Sequence, residues 1–254
     1  MVELWRYPVK SMGGERLHEP VPVDWTGFEG DRRLAVVDDA THKVLSAKTV
    51  PRLLEATATW SGVDGVRIRS ADGLDLTSAD DGVDEELSAW LGRAVHLEAP
   101  VPGRQSVFDM ELDPDDARAT TELQTPPGSF FDSRSVLHLV TTASLDGQDR
   151  RRFRPNVVVE PATAAGRPED EWVGEWLRLG AGQGIDVAVR KRTARCVLIT
   201  KPQPGLDKDS DLFRRLAREH GGDLGIYIDP QAPGVVAPGD EVSIVEVGRE
   251  VASA

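Results

Sequence analysis

The sequence predicts a mainly β fold with a few helices, and three observations lead to this expectation. Short apolar runs rich in β-branched residues recur along the 254 residues, and glycine, proline and aspartate separate them. Stretches with helical periodicity are few. Many short strands joined by frequent turns are typical of β-barrels and β-sandwiches. We therefore expect a barrel-like or sandwich-like β architecture.

The predicted strands are short apolar runs bounded by turn residues. The first lies within residues 1–10, before the turn that begins at Pro8. The others cover residues 33–37, 66–69, 94–98, 136–140, 157–159, 187–189, 197–200, 226–228 and 242–247.

Two helices are predicted from amphipathic periodicity. Residues 84–93 gather their apolar side chains on one face. Residues 209–220 do the same, and Gly221-Gly222 ends the pattern. A third, short helix is predicted around residues 144–151.

A polar, acidic stretch divides the chain. Residues 110–131 contain three prolines, and we interpret them as a linker or long loop. The sequence thus predicts two β-rich units, residues 1–108 and residues 109–254.

Charge and composition narrow the class of protein. The net charge of −13 argues against a general nucleic-acid binder, which would need a broad positive face. Residues 131–200 nevertheless carry 11 basic and 9 acidic side chains, which suits a small anionic ligand or a solvated face. No apolar run reaches membrane-spanning length, and the N-terminus lacks the layout of a signal peptide. We expect a cytoplasmic protein without membrane or nucleic-acid partners.

The single cysteine, Cys196, is the main candidate for chemistry. It follows Arg190, Lys191, Arg192 and Arg195 closely in the sequence. Four cations near a thiol favour its thiolate form, which is a nucleophile and a soft metal ligand. A small buried residue at the start of a strand is the alternative interpretation. One cysteine excludes an internal disulfide framework, a four-thiolate zinc site and a cysteine-bound iron–sulfur cluster.

Three further segments could bind an anion. The basic segment 150–156 ends in Arg154, Pro155 and Asn156, and arginine forks suit phosphate, although a basic turn is equally consistent. Residues 8–14 form a Lys-Ser-Met-Gly-Gly turn that could present donors or be an ordinary loop. In Gly30-Asp31-Arg32, the aspartate could orient the arginine or cap a turn.

Taken in order, these segments resemble the MOSC family, named for the C-terminal part of molybdenum cofactor sulfurases. The N-terminal part resembles the MOSC N-terminal β-barrel domain, and the later part resembles the MOSC domain itself. The segments that carry the resemblance are Tyr7-Pro8-Val9-Lys10-Ser11, Gly30-Asp31-Arg32, Pro51-Arg52-Leu53, Phe153-Arg154-Pro155-Asn156, Glu169-Asp170-Glu171-Trp172, Arg195-Cys196, Gly225-Ile226-Tyr227 and Pro238-Gly239-Asp240-Glu241-Val242.

The resemblance implies a MOSC-type β-barrel plus an N-terminal β-barrel-like domain, with molybdenum cofactor held between them. It implies that Cys196 is the catalytic residue and the protein ligand to molybdenum. The other positions that match cofactor-binding residues are Lys10, Ser11, Arg32, Thr142, Ser144, Arg154, Asn156 and Arg195.

Some features depart from the family pattern. Thr193-Ala194 stands where many relatives carry a second cysteine, and Lys48 stands where an arginine is common. The segment after Cys196 lacks the frequent Thr-x-Asp-Pro. The sequence gives no reason to expect a fused ferredoxin or a pyridoxal phosphate domain.

The leading functional interpretation is an enzyme similar to the amidoxime-reducing MOSC proteins. It would reduce N-hydroxylated small molecules at molybdenum, with electrons from a separate flavin, haem or iron–sulfur protein. A non-catalytic carrier of cofactor or of persulfide sulfur on Cys196 is an alternative, as is an enzyme acting on a specialised metabolite.

Overall fold

The computed structural model describes Met1, residues 3–162 and residues 166–245. Strands dominate this part of the chain, with three α-helices, so the predicted mainly β fold is confirmed. In chain order, strands β1 to β18 are Glu3–Arg6, Glu15–Leu17, Val21–Asp24, Gly27–Phe28, Ala35–Asp38, Ala56–Trp60, Val66–Ser70, Asp75–Thr77, Val95–Glu98, Val107–Asp113, Asp116–Gln124, Leu137–Thr141, Val157–Val159, Trp176–Leu179, Ile185–Ala194, Asp223–Pro230, Gly234–Val236 and Val242–Val245.

The helical elements are short. Helices α1, α2 and α3 are Val83–Leu91, Thr142–Leu145 and Ser210–His220. Turns of 3₁₀ helix are Pro51–Glu55, Gly62–Asp64, Arg150–Arg152, Pro168–Trp172 and Val197–Thr200. Within the described ranges no helix is long and apolar enough to cross a membrane.

The largest sheet has eight strands in the order β18-β14-β15-β16-β12-β13-β1-β2. Its neighbours pair antiparallel, except that β12 and β13 run parallel. Strands β1 and β2 come from the N-terminal part, and β3 pairs with β17 from the C-terminal part. The division at residue 108 remains a prediction, and hydrogen bonds between strands cross it.

Close approach of β16 to β12 requires a glycine. Gly225 has a φ of +77°, and a Cβ there would lie 2.4 Å from Nε2 of His138 and 2.6 Å from the Leu139 carbonyl oxygen. Only glycine tolerates both this backbone region and this contact. The pairing that results places His138 opposite Tyr227.

Separate apolar cores lie under the sheet and under the N-terminal strands. One core includes Leu4, Leu139 and Ile226, which belong to strands of the eight-stranded sheet. A second includes Val9, Leu53 and other residues of the N-terminal part. Burial of these side chains, each worth roughly 1.5–3 kcal/mol, stabilises the framework that holds the turns described next.

Helix α3 confirms its prediction. The Asp209 side chain caps it by accepting a 3.0 Å hydrogen bond from the Leu212 amide, and Gly221 ends it in a left-handed conformation. Leu212 and Leu216 pack into a third core with Phe153. Helix α1 is also confirmed.

Three predictions of local structure are wrong. Residues 197–200 form a 3₁₀ turn instead of a strand, because their apolar side chains are buried without strand pairing and the Thr200 hydroxyl donates to the Val197 carbonyl at 2.8 Å. Residues 110–131, predicted as a linker, hold most of the β10–β11 hairpin. The helix predicted over residues 144–151 stops early, because Asp146 adopts a φ of +44°. Of the strand predicted over 242–247, residues 246 and 247 lie outside the described residues.

Candidate functional site

A cavity of about 470 Å³ gathers seven of the nine predicted site residues. Its walls come from the first turn, the loop before β5, residues 130–138, the residues between the 3₁₀ turn Arg150–Arg152 and β13, and the end of β15 with the residues that follow it. The seven are Lys10, Ser11, Arg32, Arg154, Asn156, Arg195 and Cys196.

Thr142 and Ser144 do not line this cavity. Thr142 is exposed at the start of α2. Ser144 is buried, and both its amide and its hydroxyl are 3.1 Å from Oγ1 of Thr141. The structure therefore gives Ser144 a role in the first turn of α2, and Glu169 completes this cluster by accepting from Thr141 Oγ1 at 2.7 Å.

Cys196 stands where β15 ends and the 3₁₀ turn Val197–Thr200 begins. Its backbone is extended, with a φ of −110° and a ψ of 178°, and its side chain is partly exposed. The preceding Arg195 is anchored by a backbone hydrogen bond to Gly222 and a 2.7 Å hydrogen bond from its guanidinium to the Phe153 carbonyl. This anchoring fixes the backbone that presents the thiol.

Several site residues occupy strained backbone conformations. Among the described residues, five non-glycine residues have positive φ, and three of them are Ser11, Arg32 and Arg154. Such conformations cost of order 1–3 kcal/mol each and cluster at functional sites. The concentration of strain here supports the assignment of this cavity as the functional site.

Arg154 is a buried cation without an ion pair among the described residues. Its guanidinium lies 4.3 Å from the centre of the Tyr7 ring. Burial lowers the pKa of Arg154 to about 10, and the nearby Arg32 adds to the effect. Burial also raises the pKa of Tyr7 to about 12. An anion entering the cavity would relieve the uncompensated charge of Arg154.

Asp31, Arg32 and Asn156 form a hydrogen-bonded network at one wall. Asp31 accepts from the Tyr7 amide at 2.7 Å and from Nδ2 of Asn156 at 3.0 Å, and it forms an ion pair with Arg32. Nδ2 of Asn156 also donates to the Trp5 carbonyl at 3.2 Å, and its Oδ1 accepts from the His138 amide. Asp31 thus orients Arg32, and the Asn156 amide is engaged by the protein itself.

Sequence reasoning missed several charged residues that line the cavity, among them Lys48 and Asp132. Lys10 donates to the Phe130 carbonyl at 2.8 Å and to Asp132, while Lys48 lies 2.5 Å from the same carboxylate. Each ammonium group also lies 4.6 Å from the centre of the Phe108 ring. The sequence marks Lys48 only as a departure from the family pattern, and Asp132 lies in a loop outside the segments that carry the resemblance.

The three groups influence one another strongly. Burial would raise the pKa of Asp132, but Lys10 and Lys48 hold it well below its ordinary value. Burial lowers the pKa of Lys10, and Lys48 adds to the effect. Burial also opposes the charge of Lys48, but Asp132 and Cys196 together raise its pKa. Asp132 therefore carries a negative charge between two lysines.

The β10–β11 hairpin closes one side of the cavity. Met110 and Leu123 line it, and Glu111 forms a buried ion pair with Lys201, with Nζ 2.7 Å from both carboxylate oxygens. Sequence reasoning missed this wall as well. The turn residues Pro114 and Asp115 between two polar-apolar stretches were the available signal for a hairpin.

The thiol and the cationic side chains around the cavity fit an anionic cofactor that carries a soft metal. Nε of Arg195 is buried and has no hydrogen-bond partner among the described residues. The described residues contain no cluster of three or more His, Cys, Asp or Glu side chains that could hold a metal ion. A metal at Cys196 would therefore need its other ligands from the cofactor, and the surrounding cations suit the cofactor phosphate.

Comparison with known proteins gives two family matches. The family model described as MOSC N-terminal beta barrel domain matches residues 1–95, and the MOSC domain model matches residues 131–243. No curated protein matches the chain. The crystal structure of the YUAD protein from Bacillus subtilis is similar to this chain at 15% identity and a TM-score of 0.43, over 94% of this chain and 91% of that one.

Proposed function

Since this chain belongs to the MOSC family, whose domains are associated with molybdenum cofactor binding, we propose that it binds that cofactor with Cys196 as the protein ligand to molybdenum. We further propose an oxidoreductase that reduces N-hydroxylated or related small molecules. Its electrons would come from a separate flavin, haem or iron–sulfur protein, because the single cysteine leaves no thiolates for a cluster of its own.

One observation carries the proposal. The thiol of Cys196 lies in a cavity whose cationic side chains outnumber the carboxylates that pair with them among the described residues. Arg154 has no ion pair among the described residues, Arg195 keeps an orphaned Nε, and two lysines share one carboxylate. Buried cations are normally paired, so this excess indicates that an anionic ligand belongs here.

The chain's own residues would bind and orient the cofactor. Arg154 and Arg195 would donate hydrogen bonds to its phosphate or pterin, and Lys10 would add a point charge. The Asp31–Arg32 ion pair and the Asn156 amide would hold the Arg32 guanidinium at the wall of the cavity. When bound, molybdenum supplies the two-electron chemistry that removes an oxygen atom from the substrate.

Metal and pterin analysis tests the proposal. The full chain is produced in a host that synthesises molybdenum cofactor, as wild type, as Cys196→Ala and as Ser243→Ala, an exposed control on the edge strand β18. We expect near-stoichiometric molybdenum and pterin in the wild type and the control, and loss of metal in Cys196→Ala. Absence of both from the wild type, beside a loaded control protein from the same host, would refute the proposal.

A turnover assay separates the enzyme from a carrier. Loaded wild-type protein is incubated with an N-hydroxylated amidine and an artificial low-potential reductant. Repeated turnover with retention of molybdenum supports the reductase, whereas release of cofactor to an apo-acceptor without turnover supports the carrier.

A further inference from the structure

Two buried lysines share one carboxylate in the cavity, and this imbalance indicates how the site is filled. The side chains of Lys10 and Lys48 are only 7% and 3% exposed, whereas that of Asp132 is 41% exposed. Two buried ammonium groups repel each other, and one carboxylate compensates only one of them. A phosphate dianion would compensate both.

We propose that Lys48 joins Lys10, a position that the family resemblance already assigns to the cofactor, in the subsite for its phosphate, and that the Asp132 carboxylate occupies this subsite as an internal substitute that the phosphate displaces. The inference rests on the proposed function only in naming the cofactor as the source of the phosphate.

The position of Asp132 allows it to leave while the lysines stay. Asp132 belongs to residues 125–136, which form no helix or strand. Its backbone makes no hydrogen bond to any described residue. The Asp132 side chain is 41% exposed, so its carboxylate can turn into solvent once phosphate replaces it between the lysines, while either lysine would have to leave its contact 4.6 Å from the Phe108 ring.

Displacement of Asp132 would also change a wall between two cavities. Phe131, Ser133 and Arg134, which flank Asp132, line both the cavity at Cys196 and a neighbouring cavity of about 710 Å³. We therefore expect phosphate binding to loosen this segment, since the ion pairs of Asp132 tie it to Lys10 and Lys48.

Calorimetric titration of inorganic phosphate into the cofactor-free full chain tests the inference. The variants are Asp132→Asn and the control Asp115→Asn, which removes an equal charge from an exposed ion pair with Arg214. Removal of an internal competitor should tighten phosphate binding by at least about tenfold in Asp132→Asn and hardly at all in the control. Adding Lys48→Met to Asp132→Asn should abolish the gain.

If Asp132→Asn binds phosphate no more tightly than the control, the inference is overturned and Asp132 only supports the lysines. Undetectable phosphate binding by every variant would also overturn the inference. A second measurement uses unaltered protein. Hydrogen exchange in peptides covering residues 126–136 should become faster at saturating phosphate, and slower or unchanged exchange would refute displacement.

The titration also separates this inference from the proposed function. It is repeated in the Cys196→Ala background. Adding Asp132→Asn there should still tighten phosphate binding, because the subsite does not use the thiol. If phosphate binding tightens tenfold in Asp132→Asn but the wild type contains no molybdenum, the anion subsite stands and only the metal assignment is refuted. Molybdenum in the wild type without the gain would refute only the displacement.

Discussion

Replacement of Lys201 by methionine should destabilise the protein strongly, because it leaves the Glu111 carboxylate buried without its partner. Lys201 and Glu111 side chains are 10% and 3% exposed, and Nζ lies 2.7 Å from both carboxylate oxygens. At 2.7 Å and an effective dielectric constant of about 20, their attraction is about 6 kcal/mol. The cost of desolvating both charges offsets much of this attraction.

The expected loss for Lys201→Met is therefore about 3–5 kcal/mol in the free energy of unfolding, measured by urea denaturation. The double variant Glu111→Leu with Lys201→Met removes both charges, and we expect it to recover most of that loss. If the single variant loses less than about 1 kcal/mol, or if the double variant loses as much as the single one, the reasoning about an unpaired buried charge is wrong.

The same variant has a consequence for the site. Strand β10 packs against the turn Val197–Thr200 that follows Cys196, and the ion pair joins the two. Loosening it should lower cofactor retention in Lys201→Met even under conditions where the protein stays folded. Molybdenum content after dialysis, with circular dichroism as the check on folding, measures this effect.

Three further predictions concern the site and its supports. Asp31→Ala should lower the free energy of unfolding by about 2–4 kcal/mol, because it leaves the Tyr7 amide without its acceptor and Arg32 without its ion-pair partner. The control Asp24→Ala, at an exposed position, should change it little. Thermal unfolding compares the two variants. Burial holds the pKa of His138 well below its usual value of 6.5, so the unfolded chain takes up a proton before the folded chain does as the pH falls. The free energy of unfolding should therefore drop by about 1.4 kcal/mol per pH unit below pH 6.5 because of this residue. The variant His138→Gln should reduce this slope, measured by urea denaturation at several pH values. Thr142→Ala should leave pterin content unchanged, since Thr142 is exposed and does not line the cavity, and a loss of pterin would restore Thr142 to the site.

The fold class was predictable because it depends on local patterns. Strand-length apolar runs and the amphipathic periods of α1 and α3 are properties of neighbouring residues, and the structure confirms them. The prediction of a strand at residues 197–200 was wrong because strand pairing there depends on distant parts of the chain and not on the local apolar pattern. The apolar side chains of this segment pack toward different cores, since the partly buried Leu198 contacts one and the buried Ile199 belongs to another, and burial alone does not require strand pairing.

The hairpin over residues 107–124 illustrates the same limit. Its strands are polar on one side, and its acidic composition resembles that of a linker. Only contacts with distant parts of the chain, such as Glu111 with Lys201, 90 residues apart, reveal it as a wall of the site.

The sequence by itself determined a mainly β protein, a single thiol among cations, and a set of anion-binding candidates around it. Only the tertiary structure decided that Arg154 is left without an ion pair among the described residues, that the Asn156 amide is used by the protein, and that Asp132 sits between Lys10 and Lys48. The physical reason is that uncompensated charge depends on which groups burial brings together, and these partners lie 122 and 84 positions apart in the chain.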